Sequence, residues 1–406
     1  MLNWVNQFSI FCFLDNHSYQ IEPHSEECLL AVGIRRDIQC NEGNALKQLQ
    51  QFINQKPSWL FGHLGYDLKN EIENLNSSHP DEIKFPDLYF FEPAIVIRLG
   101  EKEIIIEAED AETILASINS TKINQPSSFK KVDIKNRIEK DEYCCTINKL
   151  KQHILRGDCY EINFCQEFYA EHAEINPVEV YKKLSALSPN PFSALYKLQD
   201  KWLLCASPER YIKKQENNIL SQPIKGTSKR NLQNITEDKK QKNDLYNSPK
   251  DRSENVMIVD LVRNDLAKVC KDGSVHVDEL YGIYSFPQVH QMISTISGEL
   301  NSTISFSEII KASFPMGSMT GAPKKRVMEL IEQYEKTKRG IFSGAVGYIN
   351  PDGDFDFNVV IRSIMYNEAN KYLSFAAGSG ITFYSDAEKE WEECMMKADA
   401  MREALK

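Results

Sequence analysis

Positive charge is in short supply along this 406-residue chain, where 48 Lys and Arg stand against 58 Asp and Glu for a net charge of -10. A surface of that sign repels a phosphate backbone, which excludes nucleic acid as the main partner; an anionic substrate would need a local cation cluster or a metal. Long apolar runs are also missing. Met1 to Asp15 is apolar in flavour but lacks a basic start and is broken by Asn3, Asn6 and Gln7, so neither a signal peptide nor a membrane span is expected. The ten cysteines (12, 28, 40, 144, 145, 159, 165, 205, 270 and 394) show no paired metal-ligand spacing, and none lies in the Gly-x-Cys-x-Gly setting of a nucleophile elbow. Several sit in apolar runs such as Trp202 to Ala206 and read as reduced, buried thiols of a cytoplasmic protein. With 42% hydrophobic and 26% charged residues, nothing points to disorder or a fibrous repeat, and the chain can bury a large core as one interleaved domain or two lobes.

Residues 1–118 alternate short apolar runs (Phe8 to Leu14, Leu29 to Ile34, Tyr89 to Leu99, Ile104 to Ala108) with polar turns, which predicts a mostly antiparallel lobe with a few helices. Within it, Gly62 and Gly65 interrupt an apolar run and predict close backbone packing, and His63 reads as a structural histidine. Residues 119–132, rich in Ser, Thr, Asn and Lys, are the expected linker to a region spanning 133–406. There, Tyr143, Ile147, Leu150 and Ile154 keep helical spacing and Gly157 stands at the expected cap. A strand follows over 159–169, with Ile162, Phe164 and Phe168 on one face and Glu161, Asn163 and Cys165 on the other. Two hairpins come next, Phe192 to Leu198 with Trp202 to Ala206 and Tyr211 to Lys214 with Ile219 to Ile224. Ser207-Pro208-Glu209 turns between them, and the second hairpin is expected to bring Glu209 back toward Lys225. Ser248 and Pro249 predict the start of a helix with a buried stripe of Val256, Val259, Val262, Leu266 and Val269. Pro315 to Lys324 is a glycine-rich turn whose amides suit an anion. A three-strand meander is expected over Phe342 to Ile349, Phe355 to Tyr366 and Tyr372 to Thr382, then a last helix with Ser385 and Glu388 as a capping box.

Chemistry concentrates at Gln222 to Arg230. Lys225 there is either a solvated lysine or a nucleophile, and an amine attacks only when neutral; burial, or the cations Lys229 and Arg230, would lower its pKa. Two i,i+3 acid pairs, Asp251/Glu254 and Glu390/Glu393, place like charges on one helix face. Such pairs arise often by chance, and Asp251 doubles as an N3 partner for Ser248, but a divalent ion shared by the two helices would offset the repulsion. The apolar stripe Trp391, Cys394, Ala398, Met401 and Leu405 puts Glu393 on the far side of its helix, so that helix must be covered on more than one face.

Taken together, Gly157 to Tyr160, Ser207 to Arg210, Pro223 to Thr227, Asp251 to Asp265, Gly317 to Lys324 and Ala376 to Gly380 resemble the chorismate-utilising enzymes over about residues 135–406. The resemblance implies an α+β fold, with two large antiparallel sheets packed as a sandwich core surrounded by helices. It implies that Glu254 and Glu393 hold Mg²⁺ against the ring carboxylate of chorismate, with Asp251 and Glu390 supporting through water. Glu209 would be the general acid for the departing C4 hydroxyl. Tyr348, Arg362, Gly378 and Gly380 match positions for the enolpyruvyl carboxylate, Gly226 and Thr227 flank Lys225 in the substrate site, and His290 and Ser318 match further active-site positions. Lys225 in place of alanine points to the branch that aminates C4 in 4-aminobenzoate and folate synthesis; Glu161 departs from the glutamine usual there, while the lack of lysine at that position speaks against water-using members. The Leu-Leu-Glu-Ser segment of tryptophan-sensitive anthranilate synthases is absent. Anthranilate synthase and a non-catalytic chorismate-binding homologue are the alternatives. With no glutaminase centre in the chain, ammonia is expected from a separate glutaminase subunit.

Overall fold

The computed structural model describes residues 1–19, 28–41, 43–100, 102–122 and 131–406; most of the expected linker, 123–130, lies outside the described residues. Among the described residues all strand pairs are antiparallel and assemble two sheets, one of eleven strands and one of ten. Side-chain alternation explains how they pack. In the strand Ile10–Asp15, Ile10 and Cys12 enter one core while Phe11 and Phe13 enter another. The first core lies between the sheets and beneath the helix Pro249–Ala267; the second lies between the outer face of the larger sheet and the helices Lys140–Leu155, Pro177–Leu187, Lys324–Tyr334 and Ala387–Ala404. The fold is thus α+β. Strands from residues 10–107 take part in both sheets, and Ile10–Asp15 pairs directly with Phe192–Leu198.

Several long apolar runs prove to be two strands in different sheets. Tyr89 to Leu99 divides into Leu88–Glu92 in the smaller sheet and Ile95–Leu99 in the larger, with Pro93 between. Phe355 to Tyr366 divides into Phe355–Asn358 and Ser363–Asn367, the chain crossing between sheets at residues 359–362. A second crossing joins Lys201–Ser207 to Arg210–Gln215. The two crossings lie side by side: Val359 N donates to Glu209 O at 3.0 Å and Ala206 N to Arg362 O at 3.2 Å. Periodicity alone did not reveal them, because both halves of each run are apolar and extended.

Other details differ from expectation for local reasons. In the helix Pro249–Ala267 the buried stripe runs through Ile258, Val259, Val262 and Leu266, whereas Val256 is 43% exposed. The last helix is capped by Asp386, which accepts from Lys389 N, while the Ser385 hydroxyl turns back to accept from Thr382 N. Ser305 and Glu308 form a full capping box that the sequence reading did not single out. His63 is fully buried between Tyr196 OH and Pro86 O, and burial lowers its pKa to about 4, as suits a neutral structural histidine.

Gly62 sits where any side chain is excluded, since a Cβ there would lie 2.0 Å from Tyr89 O on the neighbouring strand. Gly62→Ala should therefore cost about 2–4 kcal/mol in urea unfolding, as the strands must part. Gly353→Ala, at φ +76° with open space around it, meets backbone strain alone and should cost about 1 kcal/mol, at most about 2. Equal losses at the two positions would contradict the packing argument.

Candidate active site

The two crossings and the adjoining edge of each sheet enclose a cavity of about 380 Å³. Its wall includes Glu209, Lys225, Gly226, Thr227, Asp251, Glu254, Ser318, Arg362, Gly378, Gly380 and Glu393, eleven of the residues singled out from the sequence. Each arrives by a local device. Glu209 and Arg362 ride the two crossings, and Arg362 is held at φ +53°, a left-handed conformation that a non-glycine residue adopts only under constraint. Lys225 stands in a bulge of the strand Ile224–Lys229, where the register against Val289–Glu299 shifts between Ile224 and Thr227. Gly226 forms the bulge at φ +93°, and a Cβ there would lie 3.0 Å from Asp251 Oδ1, so glycine lets the helix carrying Asp251 and Glu254 approach.

Lys225 is 8% exposed and donates to Glu161, which is 1% exposed. Burial alone would lower the lysine pKa, but Glu161 and then Glu254 outweigh it and hold the ammonium above its ordinary value. The expected help from Lys229 and Arg230 is not there: Arg230 is spent on Asp238 at 2.8 Å, and the strand ends at exposed Lys229. Across the cavity, burial pushes the Glu209 carboxyl up to about 7 despite a 2.5 Å bond from Ser318 Oγ and the nearby Lys225. Burial likewise pushes Glu254 up to about 7, with Lys225 opposing and Glu161 reinforcing the shift. For Glu393 burial acts upward, but the Lys397 ammonium at 2.6 Å prevails and holds it below the usual carboxylate range. Burial lowers the Arg362 guanidinium, whose Nη1 donates to Lys397 O at 3.3 Å.

Four candidates lie off the cavity wall, two of them behind it. Glu390 is 1% exposed, beneath the wall, with Lys250 Nζ 3.4 Å from its Oε1. Glu161 backs Lys225 from the neighbouring sheet. His290 faces away from the cavity, bonded to Ser285 Oγ at 2.8 Å and to Asp238 Oδ1 at 3.2 Å, because strand alternation gives the wall to its neighbour Gln291. Tyr348 packs on Trp59 and Phe61, opposite Phe61 in the smaller sheet, and does not reach the cavity. The sequence reading missed Asn163, Lys250, Gln291 and Lys397, all on the wall. Lys397 was readable as the i+4 partner of Glu393; Gln291 and Asn163 were readable only once sheet parity was known.

Three buried carboxylate oxygens near this wall, Glu161 Oε2, Glu254 Oε1 and Glu390 Oε2, have no hydrogen-bond partner. Among the described residues, no three His, Cys, Asp or Glu side chains converge as a closed cage for an ion. The acceptor capacity left on Glu254 and Glu390 fits a hard cation such as Mg²⁺, which would take few protein carboxylates and draw the rest of its shell from water and substrate.

Comparison with known proteins gives the family and the fold. Residues 12–403 match the family of chorismate binding enzymes. Aminodeoxychorismate synthase component 1 of Escherichia coli is 33% identical over 348 residues, covering 85% of this chain and 76% of that protein. Anthranilate synthase component 1 of Aquifex aeolicus is 32% identical over 368 residues, covering 85% and 74%. The crystal structure of anthranilate synthase component I from Streptococcus pneumoniae superposes with a TM-score of 0.81 at 25% identity, covering 95% of this chain and 94% of that one. With residues 12–403 matched and the fold shared, the chain belongs to the chorismate binding enzyme family.

Proposed function

We propose that this protein aminates chorismate at C4 with ammonia to give 4-amino-4-deoxychorismate, in the route to 4-aminobenzoate and folate, the ammonia coming from a separate glutaminase subunit. The observation that carries the reading is a buried lysine, Lys225, facing a carboxyl held near neutrality, Glu209, across a cavity that also presents Arg362. The Escherichia coli relative, a component 1 by name, adds support for both the reaction and the partner. The Aquifex aeolicus relative favours amination at C2 instead, and Lys225 is the residue on which the two readings part.

In the proposed reaction Arg362 holds a substrate carboxylate, for which a planar guanidinium suits a bidentate contact. Glu254 and Glu393 would hold Mg²⁺, with Asp251 and Glu390 outside them; the ion, when bound, supplies positive charge against the ring carboxylate. Glu209 donates its proton to the C4 hydroxyl, which leaves as water. The Lys225 amine, having given up its proton, attacks C2 as the diene electrons shift; ammonia then enters at C4, Lys225 departs, and the new ammonium returns a proton to Glu209. Because Lys225 sits between Glu161 and Glu254, which favour its charged form, the step requires proton loss to a neighbouring group as the substrate binds.

Product analysis from chorismate and ammonium salt should give 4-amino-4-deoxychorismate, with glutamine inactive for this chain alone. Chelation or Glu393→Ala should reduce turnover by at least about a hundredfold, since an uncompensated dicarboxylate would meet an acidic cleft. Anthranilate as the sole product would overturn the C4 assignment.

A second expectation concerns Lys225. Mass spectrometry after quenching should find a chorismate-derived adduct on its peptide when ammonia is withheld, and Lys225→Arg should be as inactive as Lys225→Ala, because a guanidinium stays charged. Wild-type rate in the arginine variant, with no adduct trapped, would leave Lys225 an electrostatic contact only.

Glu209 supplies a third test through stability. Its folded pKa of about 7 exceeds the 4.5 of a free glutamate, so its contribution is fully present below about pH 4.5 and is lost as pH rises through about 7. Glu209→Gln should therefore be inactive yet more stable than wild type at pH 8, by on the order of 1–3 kcal/mol, with the gain vanishing below pH 4.5. Denaturant titrations at the two pH values decide it; a destabilised variant at pH 8 would mean that the carboxylate is structurally required.

A further inference from the structure

Lys250 occupies an odd place for a lysine. It is the second residue of the helix Pro249–Ala267, where the macrodipole is positive and a cation is disfavoured. Nearby carboxylates offset that cost. Its Nζ lies 3.8 Å from Glu254 Oε1 and 3.4 Å from Glu390 Oε1, so the ammonium is placed between one acid from each of the two helices. Burial acts to lower its pKa, but Glu390, Glu254 and Glu393 together hold it raised. The contacts are loose, however, and leave Glu254 Oε1 and Glu390 Oε2 without a hydrogen bond although both are buried. A buried carboxylate oxygen normally finds a donor, so an ammonium that gives one long hydrogen bond to Glu390 Oε1 and leaves the other two oxygens without one is a poor permanent partner. The Lys250 side chain is 40% exposed, which leaves its long stem free to turn outward into solvent.

We propose that Lys250 is a built-in counter-cation for the acid pair Glu254 and Glu390, one that exchanges with the divalent ion: its ammonium neutralises the pair until Mg²⁺ binds, and then swings out. The inference rests on the metal reading given above and adds to it a residue that sets how tightly the ion is held. Lys250 is a positioning residue in this scheme and touches no reacting atom. Its ammonium lowers the affinity for the ion, because the ion must displace a charge already at the site, and keeps the two helices together while the ion is absent.

The test is calorimetric titration of the purified chain with MgCl₂ alone, without substrate. Lys250→Met should bind Mg²⁺ about tenfold more tightly than wild type, the order expected for removing a unit charge about 4 Å away in a partly solvated site. Lys389→Met, which removes an exposed cation from the same cavity wall, should change the affinity less than about twofold and measures the long-range field alone. A second readout needs no variant. Amine acetylation of the wild-type protein, read peptide by peptide, should rise at Lys250 when MgCl₂ is added and stay constant at Lys389. Tighter binding in Lys250→Met together with freed Lys250 supports the exchange. Unchanged or weaker binding in that variant, an equal gain in Lys389→Met, or unaltered labelling of Lys250 overturns it while leaving the metal site standing. If wild type shows no saturable Mg²⁺ binding, the metal reading falls, and the role of Lys250 falls with it.

Discussion

Charge compensation among groups wholly or partly withdrawn from bulk water is the constraint on which the cleft depends. Glu161, Glu209, Asp251, Glu254, Glu390 and Glu393 share it with Lys225, Lys250, Arg362 and Lys397, so acids outnumber cations. An isolated buried charge costs several kcal/mol, which is why each cation touches at least one acid or carbonyl and why Glu209 and Glu254 titrate near neutrality. The surrounding fold serves to hold these groups in place. Arg339, itself buried, binds Glu335 at 2.6 Å, Met319 O at 2.6 Å and Asn163 O at 2.9 Å, and stacks on Tyr66. One guanidinium thereby ties the turn that carries Ser318 to the strand that carries Glu161 and to a residue from the first part of the chain.

The two-sheet architecture explains why the site lies where it does. Most residues in the central strands point into one core or the other, and both cores are apolar. Asn163 and Gln291 reach the seam from regular strands by alternation, and Glu161 reaches Lys225 the same way, but three of the charged groups are placed where the chain leaves one sheet for the other or bulges. Glu209 and Arg362 use crossings, Lys225 uses a bulge, and the acids Asp251, Glu254, Glu390 and Glu393 come from helices that close the opening. Irregular backbone is therefore the placing device, and the regular sheets are its rigid support.

Much of this was legible in the sequence and some was not. The strand over 161–170 and both hairpins could be read from alternation, and the helix capped by Ser248 from its terminal residues, because those signals are local. The division of Tyr89 to Leu99 and Phe355 to Tyr366 between sheets was hidden, since a crossing leaves hydrophobicity unchanged and is decided by pairing partners far along the chain. The same long-range dependence explains the site residues. Glu209 and Lys225 were linked by a hairpin within reach of sequence reasoning. His290 and Tyr348 carried only a resemblance, and a one-residue difference in parity turned His290 toward Asp238 while Gln291 took the wall. The electrostatic surroundings of Lys225 were likewise out of reach, because Glu161 and Glu254 approach it from a strand and a helix distant in sequence.

Gly380 carries one more consequence. It pairs across the larger sheet with Asn163, and a Cβ at its position would stand 2.7 Å from Glu161 Oε1 and 2.8 Å from Lys225 Nζ. The ion pair and the bare backbone thus form a three-part interlock, in which the space one partner vacates is the space the other two fill. A chain cannot acquire a methyl at 380 while keeping this lysine and this glutamate in their places, nor can the pair be enlarged without glycine already opposite. A side chain at 380 would part the charged ends of this lysine and this glutamate, so the closeness of the ion pair is set by the absence of a single methyl on the backbone opposite.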